Sequence, residues 1–538
     1  MATPMDSTTR QGDVGRRCVI EATVVTGFES IARSEAIQKI PGSKAHCERG
    51  RIFINLPISS VNKILGLSSV DNCFVVMTRF PEVVFSQNEL EAMGTIRNLV
   101  RSVDWEVGLR AWQEIFTFDH PILYQPEVIP EDLGEPQIVS RRPPAKKQKV
   151  DPESEADEHV IASKMNEPNE GSTAACDKKT ISTDENALTK AEGKSTCSLE
   201  SSDSSKEKEA QIPLEKNSNS STGEQPARTR LTTHDPSKLT FRVTCNRTGK
   251  NHCFQSMCAA ANFGGAIHQY FHWNIDMKKF DVEVMLNIDG SNVSACLGLT
   301  KESLHRRHIT HFGPTTLKPT IAYNMLRMCK IRAGDVVCDP MCGGGTIPIE
   351  AAVNWPQAAH VCGEIHTLGA NRTMDNIQEL NKKRLAKGKP PVVVDAIQWD
   401  ACAMPFKDSS VDVFIADLVS LPFGKRIGHK VDNWKLYPAS LLEMARVSRP
   451  ETGRACFLTH DKRCMIKTIH GLKKFWRQVR SVGINIGGLS AVVFLLYRTG
   501  KTVSPEDTIP TADALRKLPE CQPTEALPRE VEEEENID

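Results

Sequence analysis

The stretch "DVVCDPMCGGGTIPIEAA", Asp335 to Ala352, decides how the chain is read. An apolar run ends in an acid, a glycine turn follows, and a helical pattern starts at once. Its cysteines, Cys338 and Cys342, first raise a metal clip. Structural zinc takes four N or S ligands, usually as two close pairs. Here the second pair is missing, with Cys362 alone further on, and Cys338 lies inside a strand pattern. Plain buried thiols are expected, and no metal. A phosphate cradle is the next reading. The Gly-Lys-Ser/Thr end of a Walker loop is absent, and G-x-G-x-x-G fails because Ile347 and Pro348 stand where a glycine should be. What fits is a strand ending in Asp339, a turn at Gly343-Gly344-Gly345 that lets backbone pass close to a ligand, and a helix starting near Thr346.

Downstream, the short apolar runs "HVCGE", "VVVDAIQWD", "VDVFIADL" and "GRACFLTH" alternate with helical patterns. This predicts a doubly wound α/β domain with a parallel sheet over about 315–502, closed by a hairpin in "VGINIGGLSAVVFLLYRT". Ligands of such sheets sit at the carboxyl ends of the strands. There the second strand offers Glu364 to grip ribose hydroxyls, the third Asp400 near an adenine amine, and the fourth Asp417. Any one of these acids is as readily a helix N-cap. Acids at successive strand ends together point to S-adenosylmethionine, with adenosine across the crevice and the sulfonium facing the fourth strand.

The remainder of the 538 residues divides by composition. Residues 1–16 are expected to be disordered. Residues 17–135 carry a strand–helix–strand rhythm ("RCVIEATVV", "SIARSEAIQKI", "RGRIFINLP", "DNCFVVMTRF") that predicts a small α+β unit. From 136 to 236 the chain is rich in Ser, Glu, Lys, Asn and Thr and nearly lacks aromatics. It cannot bury enough apolar area to offset ordering entropy, so a disordered insert is expected. Its "RRPPAKKQK" reads as a solvated linker run or a nuclear import signal. Order returns over 237–314, with a strand at "LTFRVTCNRT", a helix at "AAANFGGAIHQYFHW" and a hairpin turning at Asp289-Gly290. The acidic tail, 503–538, is expected to be disordered. Lys+Arg and Asp+Glu are both 67, so no whole-chain basic footprint for nucleic acid exists, although a local one can. The 17 cysteines are scattered singly, which fits reduced thiols. No secretory signal and no bilayer-length apolar window is apparent, and a cytoplasmic location with a nuclear pool is expected.

"DPMCGGGTIPIEAA" and "DL…LPFGKR" resemble the class I RNA guanine-N2 methyltransferases. "FRVTCNR", "FGGAIHQYF", "DVEVMLNI" and "ESLHRRHITHFGPTTL" resemble a THUMP module and its join to that domain. The resemblance covers about 17–130 and 237–500. It implies a class I, Rossmann-like methyltransferase domain preceded by an α+β THUMP-containing RNA-binding region that the disordered insert interrupts. It further implies a tRNA guanine-N2 methyltransferase acting on the acceptor stem, mainly at position 6, together with a small zinc-binding activator subunit. Carried over residue by residue, Asp417 is a carboxylate that accepts a hydrogen of the guanine amine, Pro422 supplies a carbonyl for the other, and Phe423 stacks on the flipped base. Asp339, Gly343, Gly345, Glu364 and Asp400 hold S-adenosylmethionine. The family's Asp-Leu-Pro-Phe-Gly run is unbroken, whereas this chain reads "DLVSLPFG", three residues longer. A catalytically impaired tRNA-binding isoform is therefore the alternative, and an N6-adenine or protein-glutamine methyltransferase shares the same acid-plus-Pro-aromatic logic.

Basic residues supply candidate phosphate contacts: Arg242, Arg247, Lys250, Arg306, Arg307, Lys473, Lys474 and Arg477. Phe312 and Thr316 are expected to line the cofactor pocket. Lys425 and Arg426, with Trp434 and Tyr437, suit a flipped nucleotide beside the catalytic loop. His305, His308 and His311 recur every third residue, a spacing awkward for one metal and unaccompanied by an acid.

Overall fold

A computed structural model describes residues 15–126, 128–138, 234–249, 251–313, 315–418 and 430–519. Most of the expected insert, most of the N-terminus, the end of the acidic tail and Lys250 lie outside these residues.

The first sheet is built from two distant parts of the chain. Its first part holds β1 (Arg17–Thr23), α1 (Glu29–Lys39), β2 (Lys44–Glu48), β3 (Arg51–Pro57), β4 (Cys73–Phe80), α2 (Glu89–Leu99) and α3 (Trp105–Gln113). Its second holds β5 (Thr240–Thr248), α4 (Ser256–Phe271), β6 (Asn274–Ile275), β7 (Val282–Asp289) and β8 (Asn292–Gly298). The strands join as one eight-stranded sheet in the order β2-β3-β1-β4-β8-β7-β5-β6. The seam is the antiparallel pair β4–β8, running from Phe74 opposite Gly298 to Phe80 opposite Val293. Asn88 starts α2 by accepting the Leu90 and Glu91 amides, and Asp104 starts α3 by accepting that of Val107. A ring cluster packs the core between these parts, with Phe271 and Trp273 stacked at 4.5 Å and Trp105 edge-on to both.

The second sheet carries the opening stretch. After α5 (Pro319–Met328) come β9 (Val336–Asp339), α6 (Thr346–Asn354), β10 (Ala359–Gly363), α7 (Thr367–Ala386), β11 (Asp395–Ile397), β12 (Val413–Asp417), α8 (Lys430–Val447), β13 (Arg454–Thr459) and α9 (Lys462–Gly471). The expected hairpin follows as β14 (Trp476–Ile486) and β15 (Leu489–Arg498). The order is β11-β10-β9-β12-β13-β15-β14, parallel from β11 to β13 and antiparallel beyond. Neighbours β9 and β12 are reached by crossovers in opposite directions, so the crevice of the doubly wound fold opens at their carboxyl ends. The buried Arg454 guanidinium ties the amino end of β9 to β13, pairing with Asp335 at 2.7 Å and donating to the Cys329 and Lys330 carbonyls.

The tail is ordered further than its composition suggests. A helix, α10 (Ala512–Lys517), lays Leu515 against Gly471 of α9, and Lys474 pairs with Asp507 at 2.5 Å. Burying Leu515 is what the acid-rich composition conceals. Among the described residues no helix is long and apolar enough to cross a membrane.

Candidate functional site

The site begins where β9 stops. Asp339 is 3% exposed and accepts the Met341 amide with Oδ1. Burial pushes its carboxyl well above the usual carboxylate range, and the nearby acids Asp417 and Glu364 push it further. Past Cys342, whose amide bonds the Gly363 carbonyl, the chain turns through Gly343 and Gly345 at φ 55° and 82°. Glycine takes that left-handed backbone at the least steric cost. Gly345 is also crowded, since a Cβ there would lie 2.8 Å from Thr373. Gly344 is neither left-handed nor crowded.

Glu364 follows β10 directly. Its Oε2 accepts the Gly343 amide at 3.0 Å and its Oε1 accepts the His366 amide at 3.0 Å. The carboxylate is thereby aimed at the mouth of the glycine turn. The Trp399 ring covers the Cα of Gly363 and donates Nε1–H to the Pro340 carbonyl at 3.2 Å. Asp400 is exposed and accepts the Cys402 amide. Asp417 ends β12 and is 8% exposed. Asp339, Glu364 and Asp417 therefore converge in one crevice with the glycine turn. Such a set suits a ligand that donates hydroxyl and amine hydrogen bonds and carries positive charge. A ribose, an adenine amine and a sulfonium meet that description, so S-adenosylmethionine fits the residues present.

Two connecting pieces escaped the sequence reading. Thr373 donates to the Gly343 carbonyl at 2.9 Å, and the fully buried Asn376 donates to that of Gly344 at 2.9 Å. Both stand on α7, and polar residues one helical turn apart in an otherwise solvated pattern gave no local signal.

Other expected residues divide. Phe312 is 68% exposed, and the Thr316 hydroxyl closes a turn on the Gly313 amide at 2.7 Å. Pro422, Phe423, Lys425 and Arg426 lie outside the described residues. Arg306 is exposed. Arg307 is not available as a phosphate contact: it grips the wholly buried Glu350 through two nitrogens at 3.1 Å and donates to the Ser68 carbonyl. A glutamate inside the apolar run "TIPIEAA" was the signal that a buried counter-charge had to come from somewhere. Arg242 is likewise engaged, pairing with Glu283 at 2.8 Å over the Phe280 ring. Arg247 contacts His252 at 3.2 Å. Tyr437 is core, fully buried with its hydroxyl 2.9 Å from that of Thr459.

The crossed sheet order, the glycine turn and the acids at the strand ends define a Rossmann-like methyltransferase. A family model, "UPF0020: RMKL-like, methyltransferase domain", matches residues 306–491. The fold resembles TrmN from Thermus thermophilus, with a TM-score of 0.54, 18% identity and coverage of 89% of this chain and 99% of that one. It also resembles SMU.472 complexed with SAH, at TM-score 0.53, 14% identity and 91% and 100% coverage. In sequence, the chain is 40% identical over 484 residues to the Bos taurus protein named tRNA (guanine(6)-N(2))-methyltransferase THUMP3, covering 89% of this chain and 88% of that one. The Homo sapiens protein of the same name is 38% identical over equal spans. The chain belongs to this THUMP3 methyltransferase family.

Proposed function

We propose that the chain is an S-adenosylmethionine-dependent tRNA methyltransferase that forms N2-methylguanosine at position 6 of the acceptor stem. The observation that carries this reading is the convergence of Asp339, Glu364 and Asp417 at the switch point, beside a glycine turn that Glu364 itself fastens. The names of the mammalian relatives support the substrate.

The guanine amine is a poor nucleophile because its lone pair delocalises into the ring. When bound, S-adenosylmethionine supplies an already activated methyl group. The protein's own work is orientation and exclusion of water. Glu364 takes the ribose hydroxyls, Asp339 and the Gly343–Gly345 backbone hold the amino-acid end, and Asp400 meets the adenine. Asp417, at the carboxyl end of β12, accepts one hydrogen of the guanine amine and so aims the lone pair. The Pro422 carbonyl takes the other hydrogen and Phe423 stacks on the base, which first leaves the duplex. The longer "DLVSLPFG" run makes Asp417's reach the sensitive point, since about 1 Å of misplacement costs on the order of a hundredfold in rate.

A small zinc-binding activator completes the enzyme in this reading. The support is an apolar rim at the open edge of the second sheet, where Ile365, Leu368, Val393 and Ile397 are all exposed around β11. A cytoplasmic enzyme with a nuclear pool is consistent with that substrate.

The test is single-turnover methylation of unmodified tRNA transcripts, with the activator co-expressed and Asp417→Ala beside the native chain. N2-methylguanosine that vanishes in the variant is the expected result. Binding of tRNA and cofactor without transfer would instead support the impaired isoform, and deleting Val419–Leu421 should then raise turnover.

A further inference from the structure

The segment that leads from the first sheet to the second passes directly over the glycine turn. Thr310 to Gly313 belongs to no helix or strand and bends at His311. Among the described residues, each hydrogen bond that Thr310–Gly313 makes to another element ends on one side chain. Asn376 Oδ1 accepts the Thr310 and His311 amides at 2.9 and 2.7 Å and lies 3.4 Å from the Thr310 hydroxyl. Asn376 Nδ2 donates to the His311 carbonyl at 3.0 Å and to the Gly344 carbonyl at 2.9 Å. Two amides on one side and two carbonyls on the other fix which end of the amide is which.

We infer that Asn376 is a positioning residue for the cofactor, fastening the junction strap to the glycine turn so that Phe312 stands at a fixed height over the ligand. The inference rests on the cofactor reading above and deepens it. Three observations carry it. Asn376 is wholly buried and saturated, so its geometry has no slack. It joins the strap to Gly344, the middle residue of the turn, whose neighbour Gly343 is held by Glu364 at its amide and by Thr373 at its carbonyl, while Gly345 packs against Thr373. The strap presents Phe312, a large apolar side chain 68% exposed, immediately beside the Gly313–Thr316 turn. An exposed apolar side chain one residue from His311, whose carbonyl lies 3.8 Å from the Cβ position of Gly344, is expected to be covered when the ligand arrives. The upstream end of the same strap is moored to the first sheet's side of the molecule, through the Leu304 amide on the Asp71 carbonyl and Arg307 on that of Ser68. Asn376 thus links the cofactor loop to the region that the family resemblance assigns to RNA binding.

The discriminating variant is Asn376→Asp. It keeps the shape and the acceptor for both amides, but turns a second carboxylate oxygen toward the His311 and Gly344 carbonyls. Titration calorimetry of the full-length chain with S-adenosylhomocysteine reads affinity and the fraction of competent sites separately. The expected result is a dissociation constant raised about tenfold or more at unchanged stoichiometry, with tRNA affinity unchanged in the absence of cofactor. A lowered stoichiometry at native affinity, or native affinity with full stoichiometry, overturns the inference. Should the variant fail to fold, hydrogen exchange on the native chain decides. S-adenosylhomocysteine should slow exchange of the 310–313 amides together with those of 343–345, and protection of the turn alone overturns the inference. A native chain that does not bind S-adenosylhomocysteine sinks the cofactor reading instead.

Discussion

Replacing Gly363 by alanine tests how tightly the site is built. A Cβ on Gly363 would lie 1.9 Å from Cε2 of Trp399 and 2.2 Å from its Nε1. No rotamer absorbs that overlap, so either the surrounding backbone yields or the indole leaves. If neighbours yield, overpacking costs about 1–3 kcal/mol. If the ring leaves, it exposes about 150–250 Å² of apolar surface, worth roughly 4–6 kcal/mol at about 25 cal/mol per Å². The hydrogen bond from Nε1 to the Pro340 carbonyl, 3.2 Å, goes with it and adds about 1 kcal/mol. The loss should therefore fall between about 1 and 7 kcal/mol. It should be accompanied by weakened S-adenosylhomocysteine binding, because Pro340 and Asp400 lose their common support. Urea unfolding followed by tryptophan emission measures the first, and calorimetry the second. Gly344→Ala is the control. Its Cβ would meet nothing nearer than 3.8 Å, so stability should stay within about 0.5 kcal/mol of native. A Gly363→Ala chain with native midpoint and native emission would refute the packing argument.

Glu364→Gln leaves one acceptor for two amides, those of Gly343 and His366. It should weaken S-adenosylhomocysteine binding about tenfold and cost about 1–2 kcal/mol in stability; calorimetry returning native affinity would show that the carboxylate does not serve the ligand. His308 is held down to about 4, first by burial and then by the positive charges of Arg307, Arg384 and Lys389. Its folded value lies below the unfolded one, so between these the unfolded chain binds the extra proton. Stability should fall as pH drops from about 6.5 toward 4, by on the order of 2 kcal/mol at pH 5. Melting curves from pH 7 to 5 should be flatter in His308→Asn, which tolerates the left-handed φ of 66°; identical slopes would remove His308 as the cause.

The parallel sheet was legible because its central strands are short apolar runs with punctuated ends, β9 and β12 stopping at Asp339 and Asp417 and β10 at Gly363. The glycine turn was legible because the residues flanking it could be tested against known phosphate loops and rejected. What sequence concealed was partnership at long range. Nothing in "CFVVMTRF" says that it pairs with "NVSACLG" rather than with a strand nearby, so one sheet read as two pieces of an interrupted region. Arg306 and Arg307 look alike in "LHRRH", yet only Arg307 faces Glu350, and the spacing of charges along the chain cannot separate them. Asn376 was opaque for the same reason: its partners are Thr310, His311 and Gly344, and no local pattern links those to the middle of α7.

The β4–β8 seam has a consequence for how the molecule is made. During synthesis β4 leaves the ribosome with one edge unsatisfied, and the strand that covers it is encoded some 200 residues later. At about 5–20 residues per second the wait is on the order of ten to forty seconds. Through that interval "CFVVMTRF" is a bare template for mispairing, with no proline and a single charge near its end. Nascent-chain protection in that window, by chaperones or by slow release, is therefore a requirement of the topology itself. A chain severed after β4 but before β5 should still yield two fragments that find one another along this seam.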